Sequence, residues 1–142
     1  MTLQEFITKF NVKLNKQQLE AVQSVERPTL LLAVPGSGKT TVLVTRLGYM
    51  IYCMGIRPEE ILTVTYTVAA TNDMRKRFAA IFGVELAKRL EFRTINGICA
   101  KIIGYYGRCV GKKAFDLVTD ESYKTKLLSA IYTELIHQYP TE

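Results

Sequence analysis

LLLAVPGSGKTT, running from Leu30 to Thr41, decides how this chain is read. Thr29 to Val34 is apolar after its first residue, and its length predicts a short buried strand. Pro35 to Gly38 predicts a turn. Lys39 to about Cys53 predicts a helix with apolar residues on most sides, among them Val42, Leu43, Val44, Leu47, Met50 and Ile51. A strand, a glycine-rich turn and a helix in that order suit an anion. The glycines let several backbone N–H groups aim inward, and the helix N-terminus adds positive potential. The spacing G-x-G-K-T then assigns roles: Lys39 to the β- and γ-phosphates of a nucleotide, the Thr40 hydroxyl to Mg²⁺. Val34, Pro35, Gly36, Ser37, Gly38, Lys39, Thr40 and Thr41 make up the expected binding stretch, with Lys39 and Thr40 as its catalytic residues.

Outward from this stretch the pattern alternates. Leu3, Phe6, Ile7 and Phe10 predict a short opening helix, and Asn15 is a plausible N-cap for a second helix to about Val25. Beyond the phosphate stretch, Ile61 to Thr65 predicts a buried strand and about Ala69 to Phe82 a helix. Leu90 to Thr94 predicts another strand. Ile95 to about Tyr106 predicts a helix with Ile95, Ile98, Cys99, Ile102, Ile103 and Tyr106 on one face. Strands alternating with helices imply an α/β domain on a parallel sheet flanked by helices. Past Gly107 the texture changes to a linker with one extended piece, then a helix from about Glu121 to Tyr139 with Leu127, Leu128, Ile131, Leu135 and Ile136. Residues 1–110 are therefore read as one domain and 111–142 as a linker and the first helix of another region.

Composition narrows the class. The 142 residues are 48% apolar and 23% charged, ordinary for a water-soluble domain with a real core. No run approaches the ~20 apolar residues that cross a bilayer, and the N-terminus lacks the pattern of a signal peptide. A cytoplasmic location is expected. The net charge of +6 favours a polyanionic partner. Three cysteines (Cys53, Cys99, Cys109) and the single His137 argue against a zinc site or a disulfide framework, and the cysteines are read as reduced core residues.

Four segments together carry a family resemblance. A-x-x-G-x-G-K-T, with Ala33 where the general pattern has Gly, resembles the cradle of superfamily 1 DNA helicases of the UvrD/Rep/PcrA type. Val34 and Pro35 replace smaller residues frequent there. LNKQQLEAV, Leu14 to Val22, resembles the family's Q motif and sets Gln18 on the adenine; an amide that donates and accepts suits adjacent sites on an adenine edge. ILTVTYTVAATNDMRKRF, Ile61 to Phe78, resembles motif Ia, with Val68-Ala69 replacing an Asn-Lys pair. FRTINGICAKII, Phe92 to Ile103, resembles motif Ib, with Asn96 in place of His.

The resemblance implies an ATP- and Mg²⁺-dependent helicase moving 3′→5′ on single-stranded DNA and unwinding 3′-tailed duplex DNA, within a P-loop, RecA-like fold. Thr65, Tyr66, Thr67, Thr94 and Asn96 become the implied DNA contacts. Hydroxyls and a ring at a strand end can hold a phosphate and stack a base. The plainer alternatives are that Tyr66 packs in the core, that Thr94 and Asn96 merely cap a helix, and that Arg75, Lys76 and Arg77 form a solvated face. Met74, Phe78 and Phe82 share a helical face and are read as core.

Such an ATPase also needs a carboxylate pair on another strand. The one run with an apolar lead, FDLVTDE, ends at Asp120-Glu121, and Thr119-Asp120-Glu121-Ser122 reads better as a helix start with acids on its dipole. The expectation is therefore an N-terminal piece, inactive alone, whose acid pair and second RecA-like domain belong to the remainder of the polypeptide. Two other readings stay open: a nucleotide-gated DNA-binding or scaffold module without unwinding, and an unrelated P-loop NTPase. Repair, recombination and replication are equally open as roles.

Overall fold

The computed structural model describes residues 1–111 and 120–136. Two compact units are distinguished, residues 1–100 and 101–142. The first holds helices α1 (Leu3–Lys9), α2 (Lys16–Gln23) and α3 (Lys39–Tyr52), then a single 3₁₀ turn (Pro58–Glu60). Strand β1 (Leu62–Thr65), helices α4 (Val68–Phe82) and α5 (Val84–Arg89), and strand β2 (Glu91–Thr94) follow. Helix α6 (Ile95–Cys109) begins in this unit, and α7 (Glu121–Ile136) belongs to the second.

β1 and β2 form a two-stranded parallel sheet in which Leu62 pairs with Glu91 and Thr65 with Thr94. Parallel strands need a crossover, supplied by α4 and α5, with α4 lying against both strands. The periodic face of α4 does what its spacing implies: Met74, Phe78 and Phe82 are buried. They join Phe6, Val44, Leu47, Ile61, Ala87, Leu90 and Phe92 in one core. Much of that core is aromatic. Phe82 lies 4.8 Å from both Phe10 and Phe78 and 6.0 Å from Phe6 and Tyr52, centroid to centroid. Helix α3 approaches α4 at Gly48, where no side chain separates the helix from the Phe82 ring. The core thereby fixes α3, whose N-terminus carries the glycine-rich turn.

One expected element does not form. Thr29 to Val34 takes no regular secondary structure and lies outside the sheet, with Leu30 and Leu32 each 83% exposed. An extended run becomes a strand only through ladder hydrogen bonds to a neighbour, and none is available to it among the described residues. Among the described residues the sheet consequently has two strands rather than the three expected. α5 and the 3₁₀ turn are elements that the apolar pattern did not announce.

The cysteines also depart from expectation: all three are free, but Cys99 and Cys109 are exposed and Cys53 half-buried. The apolar face expected on α6 exists in sequence, yet no residue of that helix is buried, and the same holds for α7. The expected extended piece after Gly107, and the residues beyond Ile136, lie outside the described residues. None of the described helices is long and apolar enough to cross a membrane.

Candidate functional site

The turn that opens α3 is shaped by two glycines. Gly36 and Gly38 have φ of +81° and +82°, in the left-handed region that side chains disfavour. Gly38 is the N-cap of α3, so the first free N–H groups of that helix point out of the turn. A Cβ at Gly36 would meet nothing within 4 Å, which leaves that side of the turn open. The Lys39 ammonium folds back along the turn and donates to the carbonyl oxygens of Ala33 (3.0 Å) and Val34 (2.9 Å). The Ser37 hydroxyl and Ser37 N–H donate to the same Val34 oxygen, at 2.7 and 3.2 Å. Two neutral carbonyls thus occupy a charged donor that an anion would satisfy better. Thr40 lies half-buried in the first turn of α3, and Thr41 is exposed beside it.

Gln18 is brought to this turn from α2. Its Nε2 donates to the Ser37 carbonyl at 3.1 Å, across 19 residues of sequence. At the head of α2 it also completes a reciprocal cap: Gln18 N–H donates to Asn15 Oδ1 (2.9 Å), and Asn15 N–H donates to Gln18 Oε1 (3.0 Å). Cap and turn contact are made by the same amide. Arg46 of α3 ties the other end of α2, its guanidinium donating to the carbonyls of Ser24 (2.5 Å) and Ala21 (3.4 Å). Nothing in the sequence pattern pointed to Arg46; it reaches a helix end that no short motif identifies.

A cavity of about 610 Å³ opens between these pieces, lined by Asn15, Gln18, Leu31, Val34, Ser37 and Lys39 among others. Small-molecule sites span roughly 300–1,000 Å³. Asn15 was legible only as a cap; the glutamine three residues later completes a capping-box pattern, but nothing in the sequence shows that both side chains line a cavity.

At the C-terminal end of β1 the threonines bond to one another. The Thr65 and Thr71 hydroxyls are 2.5 Å apart, and Thr65 also donates to the Thr67 carbonyl at 3.1 Å. Thr67 caps α4 by accepting from Ala70 N–H at 3.1 Å. Tyr66, between them, is 89% exposed, which rules out the reading in which it packs in the core. At the end of β2 the Thr94 hydroxyl accepts from Gly97 N–H at 3.0 Å, so it caps α6, while Asn96 is exposed in the first turn. The basic run on α4 is largely engaged. Arg75 donates to the Phe92 carbonyl at 3.2 Å and lies 5.5 Å over the Phe92 ring, and Arg77 pairs with Asp73 at 2.7 Å.

The family model described as UvrD/REP helicase N-terminal domain matches residues 14–142. The chain belongs to that family. It is 31% identical over 122 residues to an ATP-dependent DNA helicase PcrA from Leuconostoc citreum. It is 43% identical over 95 residues to a putative ATP-dependent DNA helicase YjcD from Bacillus subtilis, and 33% identical over 122 residues to the ATP-dependent DNA helicase srs2 from Schizosaccharomyces pombe. These alignments cover 86%, 66% and 86% of this chain but only 16%, 12% and 14% of the three relatives. The chain therefore spans less than a fifth of the length of UvrD-type proteins it matches.

Within this UvrD-family chain, Asp120 does what a helix cap does. Its Oδ1 accepts from Ser122 N–H at 2.9 Å, immediately before α7. The bonds from Ser122 hold its carboxyl below the usual aspartate range. The apolar lead of that run, Leu117-Val118, lies outside the described residues. Among the described residues no three His, Cys, Asp or Glu side chains gather as a metal site would require.

Proposed function

We propose that this chain is the nucleotide-gripping N-terminal part of an ATP-dependent DNA helicase that moves 3′→5′ along single-stranded DNA and unwinds 3′-tailed duplexes. The observation that carries the reading is the posture of Lys39: an ammonium held by two backbone carbonyls, at the mouth of a turn with two left-handed glycines, at the head of a helix. Phosphate oxygens would take the place of the Ala33 and Val34 carbonyls. The ammonium and the N–H groups of Gly36 to Thr40 would then share the triphosphate charge. Pro35 and Val34 limit the motion of the loop on one side, and Thr41 extends the first turn of α3. Gln18 would meet the adenine. The Thr40 hydroxyl would hold Mg²⁺, which would supply charge neutralisation to the phosphates.

On this reading residues 1–110 belong to the first RecA-like domain of a P-loop fold, and 111–142 begin a helical insertion. Tyr66 would stack on a base, while Thr65, Thr67, Thr94 and Asn96 would border the DNA backbone near it. Movement would need the rest of the polypeptide, which brings the second RecA-like domain.

Lys39→Ala, assayed in the full chain by titration with a fluorescent ATP analogue, tests the reading. Loss of binding with an unchanged melting temperature is expected. An unchanged affinity overturns it.

A further inference from the structure

Resting on the assignment of Gln18 to adenine, we infer that Asn15 is a positioning residue for base selection, acting through the Gln18 amide. A glutamine amide has two N–H donors and two carbonyl lone pairs. Here one N–H is committed to the Ser37 carbonyl and one lone pair to the Asn15 N–H. One donor and one acceptor are left. An adenine edge offers a ring nitrogen that accepts beside an amine that donates; guanine at the same edge offers two acceptors. The uncommitted pair therefore matches adenine and leaves one mismatch against guanine.

The two committed bonds also fix which end of the amide is which. Exchanging oxygen and nitrogen would set the Gln18 amine against the Asn15 N–H, donor against donor. It would also set the Gln18 carbonyl against the Ser37 carbonyl, acceptor against acceptor. Asn15 holds this arrangement from both sides. Its Oδ1 accepts from Gln18 N–H, and that bond keeps the Asn15 backbone N–H in place for Gln18 Oε1. Both side chains line the cavity beside the glycine-rich turn. The amide is thus oriented before any nucleotide arrives, and orientation in advance is what converts a contact into selectivity.

The experiment measures the affinity of the full chain for ADP and GDP by competition with a fluorescent ADP analogue. Native chain, Asn15→Ala, Asn15→Ser and Gln18→Ala are compared. The native chain is expected to prefer ADP. Loss of the oriented amide in Asn15→Ala should lower that preference by about 3–10-fold, the worth of one hydrogen bond, with GDP affinity unchanged. Serine retains a capping oxygen and should restore the preference.

If Gln18→Ala loses the preference while Asn15→Ala keeps it, the role of Asn15 is overturned and the adenine assignment stands. If the native chain shows no preference, or Gln18→Ala keeps it, the adenine assignment falls and the inference falls with it. If Asn15→Ala weakens ADP and GDP equally, Asn15 is a structural cap only and the inference is overturned.

Discussion

Replacing Gly48 with alanine is the sharpest test of how the core places the phosphate-binding turn. Alanine is normally the better helix former, by about 0.8–1 kcal/mol over glycine, so in an open helix the change stabilises. At position 48 the added Cβ would lie 2.1, 2.5 and 2.7 Å from three atoms of the Phe82 ring. Carbon atoms rest at about 3.5–4.0 Å, so the ring would have to retreat by well over an ångström. Its retreat is blocked, since Phe6, Phe10, Tyr52 and Phe78 surround it and it is only 7% exposed. Overpacking of this kind costs about 1–3 kcal/mol. Set against the propensity gain, the net loss falls within about 0–2 kcal/mol, so it is expected on the order of 1 kcal/mol.

Gly104 supplies the contrast. It is helical, has no positive φ, and a Cβ there meets nothing within 4 Å. Gly104→Ala should stabilise its helix by up to about 1 kcal/mol. Thermal denaturation followed by circular dichroism reads both changes; for a chain of this length, 1 kcal/mol is worth about 3–4 °C in Tm. A Gly48→Ala variant as stable as the native chain would refute the packing argument.

Two further outcomes are expected. Tyr66→Ala should weaken binding to an oligothymidine strand by about 1–3 kcal/mol, the range for one stacked base, and leave Tm unaltered because the ring is exposed; unchanged affinity would remove Tyr66 from the DNA surface. The hydrogen bond from Arg89 holds the Glu59 carboxyl below its ordinary range. A lowered carboxylate pKa stabilises the fold above the unfolded value, and that stability is lost as pH falls through the folded value. Arg89→Ala should therefore lower Tm slightly at neutral pH and make no difference once the carboxylates are protonated; a pH-independent difference would sink this assignment.

The parts of the fold legible in sequence are those whose cause is local. Gly36, Gly38 and Lys39 specify a turn and a helix start through backbone freedom and capping, and both occur where expected. Met74, Phe78 and Phe82 recur at helical spacing and are buried. The apolar run at Thr29 to Val34 failed as a strand because strandedness belongs to a pair, and a single run shows only its own half. Tyr66 shows the same limit from the other side: its type suits core or surface equally, and only the end of β1 exposes it. Around Gln18 the difficulty was overlap. Capping and nucleotide contact use the same amide, so the local pattern N-x-x-Q accounted for it before the 19-residue link to Ser37 was visible.

The central claim is that Lys39 and the glycine turn exchange their internal carbonyl partners for a triphosphate. A crystal structure of the chain with a non-hydrolysable ATP analogue and Mg²⁺ measures this directly. The ammonium is expected to leave the Ala33 and Val34 oxygens for the β- and γ-phosphates, with Gly36 and Gly38 still left-handed. An analogue bound elsewhere, with Lys39 still on those two carbonyls, would contradict it.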